Sequence, residues 1–149
     1  MKILNEMEIT FKAISINEGF ARACVAAFCA QANPSVDEIT DIKTAVSEAV
    51  TNSVVHAYPL GDGNITIKVK LYFSGAVIEI CDFGIGIDDF ETAREPFYTT
   101  KPNEERSGMG FTVMESFMDS VTLQKNGKCG LIVKMEKIFK NKNCDVVGI

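Results

Sequence analysis

Glu48 and Asn52 stand four residues apart in the run Ser47-Glu48-Ala49-Val50-Thr51-Asn52-Ser53-Val54-Val55-His56-Ala57. If the run is helical, at about 100° per residue the two side chains lie one turn apart on the same face and can converge on a single ligand. A carboxylate there can serve as a general base, its pKa raised by the apolar neighbours Ala49, Val55 and Ala57; the alternative is a solvated helix glutamate. Asn52 offers a neutral oxygen to a hard cation such as Mg2+, which fills its octahedral shell with protein, water and phosphate oxygens. Otherwise it is a surface asparagine, slightly unfavourable within a helix.

Two glycine pairs follow, Asp82-Phe83-Gly84-Ile85-Gly86 and Ser107-Gly108-Met109-Gly110-Phe111. Glycine lets a backbone approach a ligand closely, but a single G-x-G pair is weak evidence. Asp82 ends an alternating apolar run. It can accept a hydrogen bond from an exocyclic amine, which would select adenine over guanine, or it can cap a turn. Gly108 and Gly110 sit where a loop becomes a helix, and free amides at a helix start suit phosphate. Lys101 and Arg106, earlier on the same loop, could neutralise phosphate charge. His56, the only histidine, reads as a packed side chain in preference to a phosphoacceptor. Arg22 lies off the apolar stripe of its helix, where it is either solvated or an anchor for a partner. There is no G-x-x-x-x-G-K-[ST] loop, and the partner motifs that would make Asp82-Phe83-Gly84 part of a eukaryotic-type kinase set are missing.

Elements to hold these residues are readable on either side. Met7, Ile9, Phe11 and Ala13 alternate with Glu8, Thr10 and Lys12, the pattern of a first strand. Asn17 is positioned to cap a helix with the stripe Phe20, Ala21, Cys24, Val25, Phe28 and Cys29. Ser35-Val36-Asp37-Glu38 is a capping box that starts a long helix. Its stripe is Val36, Ile39, Ile42, Val46, Ala49, Val50, Ser53 and Ala57, with Glu48 and Asn52 roughly 120° to 160° away. Residues 64–73 alternate cleanly, Ser74-Gly75 turns, and 76–81 returns as a hairpin that delivers Asp82 to its exit. A short helix over 88–95, a long polar loop to Ser107, a helix over 108–118 and a hairpin turning at Asn126-Gly127 complete the order. The fold class is α+β: a two-layer sandwich with a mixed, mostly antiparallel sheet covered by helices on one face. Residues 1–140 make one domain, and 141–149 read as a frayed tail.

A 149-residue chain can bury about 70% of its unfolded surface without disulfides or metal. Its five cysteines lack zinc spacing and read as reduced thiols. A net charge of -5 argues against direct nucleic-acid binding. No apolar run suggests a signal peptide or a membrane span, so a cytoplasmic protein is expected.

Taken together, the E-x-x-x-N run and the two glycine boxes resemble the GHKL ATPases, the superfamily of gyrase, histidine kinases and MutL, with its Bergerat fold. The stretches His56-Ala57-Tyr58, Phe97-Tyr98-Thr99-Thr100-Lys101-Pro102 and Glu105-Arg106-Ser107-Gly108-Met109-Gly110-Phe111-Thr112 narrow the likeness to the sporulation anti-sigma kinases of that superfamily. The resemblance implies a serine/threonine protein kinase using ATP and Mg2+ that holds a sporulation sigma factor inactive as a homodimer. It would phosphorylate a small anti-anti-sigma protein, with ADP as the product nucleotide. By position, Glu48 would be the base on the incoming serine hydroxyl, Asn52 the metal ligand and Asp82 the adenine reader. Gly84, Gly86, Gly108 and Gly110 would shape the pocket, with Thr99, Thr100, Lys101 and Arg106 in its lid and Ser107, Met109 and Phe111 beside the nucleotide. Arg22 would dock a partner. The alternative is a nucleotide-gated sigma-binding module without kinase turnover.

Overall fold

The computed structural model describes residues 2–58, 62–84, 110–127 and 130–140. Strand β1 (Ile3–Lys12) is followed by helix α1 (Asn17–Cys29), a 3-10 turn (Ala30–Ala32) and helix α2 (Val36–Asn52). A single π turn (Ser53–Ala57) prolongs α2. Strands β2 (Asn64–Tyr72) and β3 (Gly75–Asp82), helix α3 (Gly110–Phe117) and strands β4 (Ser120–Lys125) and β5 (Leu131–Ile138) complete the described elements.

The five strands are ordered β1-β2-β3-β5-β4, and each of the four described ladders is antiparallel. The last strand in sequence therefore lies between β3 and β4. Alternation decides the faces: Ile65, Ile67, Val69 and Leu71 of β2 and Ile78 and Ile80 of β3 are buried with Val25, Ile42, Val46, Val50 and Met114 of the three helices. The other face carries a cross-strand row of alternating sign, Glu8 opposite Lys68, Lys68 opposite Glu79, Glu79 opposite Lys134. Such a row keeps one side of an antiparallel sheet in water while the helices cover the other.

The capping box forms as expected: the Glu38 amide donates to Ser35 Oγ at 3.1 Å and the Ser35 amide to Glu38 Oε1 at 2.8 Å. Other local expectations are corrected. Asn17 does not cap α1; it is the first helical residue, and its side-chain amide donates to the Lys12 carbonyl at 2.9 Å. Val36 and Phe20, which the spacing assigns to apolar stripes, are 82% and 53% exposed. Val36 occupies the first position of α2, directly after the N-cap Ser35, and Phe20 instead meets Phe11 edge-on with ring centroids 6.1 Å apart. The first hairpin turns at Phe73-Ser74, since Tyr72 pairs with Gly75. The second loop is longer than a two-residue Asn-Gly turn, because Lys125 pairs with Leu131 and the Asn126 amide reaches the Gly130 carbonyl.

Candidate nucleotide site

Helix α2 packs against both α1 and α3. Regular α geometry persists through Asn52, so Glu48 and Asn52 do share a face, and both are half-buried. Helix α3, packed on α2, begins with Gly110 and Phe111, both buried. Lys137 of β5 fastens the arrangement, its Nζ donating to Asp41 Oδ2 of α2 at 2.9 Å and to the Phe117 carbonyl of α3 at 2.7 Å.

Asp82 lies at the exit of β3 with only 2% of its surface exposed. Its Oδ1 accepts two backbone amides, Gly84 and Leu131, each at 3.1 Å. Oδ2 accepts the Ser53 hydroxyl at 3.2 Å. Burial pushes the carboxyl pKa up, and the hydrogen bonds from Gly84, Ser53 and Leu131 oppose that rise. A buried carboxylate with one oxygen saturated by backbone and the other met by a single hydroxyl retains acceptor capacity on the second oxygen. That is the chemistry an amino group on a base requires.

The chain beyond Asp82 is held from the end of α2. The Phe83 amide donates to the Tyr58 hydroxyl at 2.7 Å, and that hydroxyl donates to the Asn64 carbonyl at 2.7 Å. Gly84 lies so close to Ala57 that a Cβ on it would collide with the Ala57 carbonyl. From the other side, Asn126 Nδ2 donates to the Asp82 carbonyl at 2.7 Å, and Gly130, at φ +95°, passes where a Cβ would strike the same carbonyl.

Of the residues expected from sequence, Glu48, Asn52, Asp82, Gly84, Gly110 and Phe111 belong to this assembly of α2, β3 and α3. Arg22 stands outside it on α1, 44% exposed in its side chain and 3.4 Å from Glu18 one turn back. Gly86, Thr99, Thr100, Lys101, Arg106, Ser107, Gly108 and Met109 lie outside the described residues, as do the short helix over 88–95 and the lid. Sequence reasoning missed Ser53, Tyr58 and Asn126. For Ser53 a signal existed: a hydroxyl in the middle of an apolar stripe needs a buried partner.

Comparison with known proteins bears on this geometry. The family model of the histidine kinase-like ATPase domain matches residues 15–137. The anti-sigma F factor of Bacillus licheniformis is 52% identical over 134 residues, covering 89% of this chain and 92% of that protein. Its counterpart in Clostridium botulinum is 52% identical over 136 residues, covering 91% and 95%. Among solved structures, the RsbU and RsbW domains of Rv1364c from Mycobacterium tuberculosis align with a TM-score of 0.61 at 17% identity, over 90% of this chain and 32% of that one. The catalytic domain of the histidine kinase ThkA aligns with a TM-score of 0.55 at 14% identity, over 89% and 97%. These two likenesses are of fold. The buried aspartate at the strand exit, the E-x-x-x-N helix beside it and relatives at about half identity along most of the chain lead to one assignment: the chain belongs to the family of the anti-sigma F factors, within the histidine kinase-like (GHKL) ATPases.

Proposed function

We propose that this protein is an ATP-dependent serine kinase and anti-sigma factor, acting in the cytoplasm as a homodimer. It would hold the sporulation sigma factor sigma F inactive and phosphorylate a serine on a small anti-anti-sigma protein. The observation that carries the nucleotide reading is Asp82, buried at the exit of β3 with Oδ2 turned to Ser53. The partners are inferred from the names of relatives such as the Bacillus subtilis anti-sigma F factor, 49% identical over 134 residues.

In this reading Asp82 Oδ2 accepts the adenine amino group, and the α2 face carries the chemistry. Among the described residues no group of three or more His, Cys, Asp or Glu could cage a metal ion. The Asn52 side-chain oxygen fits a hard cation that takes its remaining ligands from water and phosphate. When bound, Mg2+ would neutralise charge on the phosphates. Glu48 removes the proton from the serine hydroxyl as its oxygen bonds to the γ-phosphorus; the bond from that phosphorus to the β–γ bridging oxygen breaks, and ADP departs. Positioning and charge do most of the work in such transfers.

The test is incubation with γ-labelled ATP, Mg2+ and the anti-anti-sigma protein. Label on a partner serine, reduced roughly 100-fold or more in Glu48→Gln with ATP affinity retained, is the expected result. Sigma binding that depends on nucleotide without any transfer of label would make the protein a gated binding module instead.

A further inference from the structure

The π turn Ser53–Ala57 begins immediately after Asn52, and with Tyr58 it touches three consecutive residues at the exit of β3. Its first residue donates to the Asp82 carboxylate, its last lies against Gly84, and the residue after it accepts the Phe83 amide. Widened turns of this kind are uncommon and concentrate at functional positions. Phe83 is 63% exposed, so burial of the residue does not fix this segment. Its backbone is fixed by the Tyr58 hydroxyl, which also reaches back to the Asn64 carbonyl at the start of β2.

We propose that Ser53 and Tyr58 are positioning residues for base recognition, holding the Asp82 carboxylate and the Phe83-Gly84 backbone so that Oδ2 meets the exocyclic amine of a purine. The same helix end would then set both the metal ligand Asn52 and the base reader, and preference for the amine would depend on two hydroxyls that need not touch the nucleotide themselves. This rests on the reading of Asp82 given above. Burial raises the Tyr58 pKa, which keeps its hydroxyl protonated and able to donate to Asn64.

The proposal is tested by titrating the purified full chain with ATP and with purine riboside triphosphate, which lacks the amine, in Mg2+ buffer. The proteins compared are the unmodified chain, Tyr58→Phe and Ser53→Ala. The unmodified chain is expected to prefer ATP by about tenfold or more, the scale of a hydrogen bond to a charged group. Each variant is expected to lose most of that preference while its affinity for the amine-free nucleotide changes less than about twofold. An equal fall for both nucleotides, or an undiminished preference for ATP, overturns the proposal. An unmodified chain that binds both equally overturns the reading of Asp82 and the proposal with it, which separates the two failures. If one variant does not fold by circular dichroism, the other decides by the same criterion. Amide exchange at Phe83 supplies a further measurement: faster exchange in Tyr58→Phe than in the unmodified chain is expected, and unchanged protection overturns the Tyr58 half of the proposal.

Discussion

Lys137 and Asp41, separated by 96 positions in sequence, meet at 2.9 Å, and the same ammonium group donates to the Phe117 carbonyl at the end of α3. One cation thereby joins β5, α2 and α3, and it is 88% hidden, with a side-chain exposure of 12% against 29% for Asp41. Lys137→Met should cost about 1 to 2 kcal/mol, because water can rehydrate the more exposed Asp41 but not replace the tie to Phe117. ATP affinity should fall with it, since α3 begins at Gly110 and Phe111. An unchanged urea midpoint would show that the ion pair is only superficial.

Gly84 meets the backbone of Ala57, which cannot swing aside as a side chain could. Gly84→Ala is expected to lower stability by about 1 to 3 kcal/mol, the usual scale for an intruding methyl group. Nucleotide affinity should drop further than stability, because the collision displaces one of the amides that bind Asp82. Thermal unfolding together with ATP titration checks this; normal values in both would mean that the two segments separate without cost.

With Asp82 as the proposed base reader, stability and nucleotide binding should depend on pH in opposite directions. Its folded pKa is raised above the unfolded value, so its favourable contribution to folding is complete below the unfolded pKa and is lost as pH rises through the folded pKa. Near neutrality the buried anion is a cost. Asp82→Asn should therefore leave the nucleotide-free protein at least as stable as the unmodified chain at pH 7, with the difference shrinking in acid. Amine recognition needs the anion, so ATP affinity of the unmodified chain should decline on acidification from above the ordinary carboxylate range. In Asp82→Asn it should be lower by about tenfold or more and insensitive to pH there. Denaturation and calorimetry across this range decide the matter, and a variant that is both less stable and as tight for ATP would contradict it.

Arg22 is exposed beside Glu18, and surface pairs of this kind contribute about 0.2 to 1 kcal/mol. Arg22→Ala should leave the melting temperature and ATP affinity nearly unchanged while weakening sigma-factor binding about tenfold or more. Equal affinity for the sigma factor would return Arg22 to the solvated helix face.

Patterns local in sequence were the ones legible in advance. The alternation of residues 64–73, the Ser35–Glu38 capping box and the i, i+4 relation of Glu48 and Asn52 each depend on neighbours a few positions away. The insertion of β5 between β3 and β4 could not be read this way, because sequence order does not specify strand order. For the same reason the wrapping of Asp82 was hidden: its donors come from Ser53, 29 positions before it, and Leu131, 49 after it. The π turn was invisible because its apolar residues satisfy an α-helical stripe equally well. Val36 shows the opposite error, an apolar residue in phase with the stripe but beyond the reach of the core.

Because β5 runs down the interior of the sheet, a nascent polypeptide leaving the ribosome carries β4 with no described neighbour to zip onto until residues 131–138 emerge. Leu131 also supplies one of the amides on Asp82. Nucleotide capture is thus expected to await synthesis of β5, which would keep shorter nascent chains from competing for ATP.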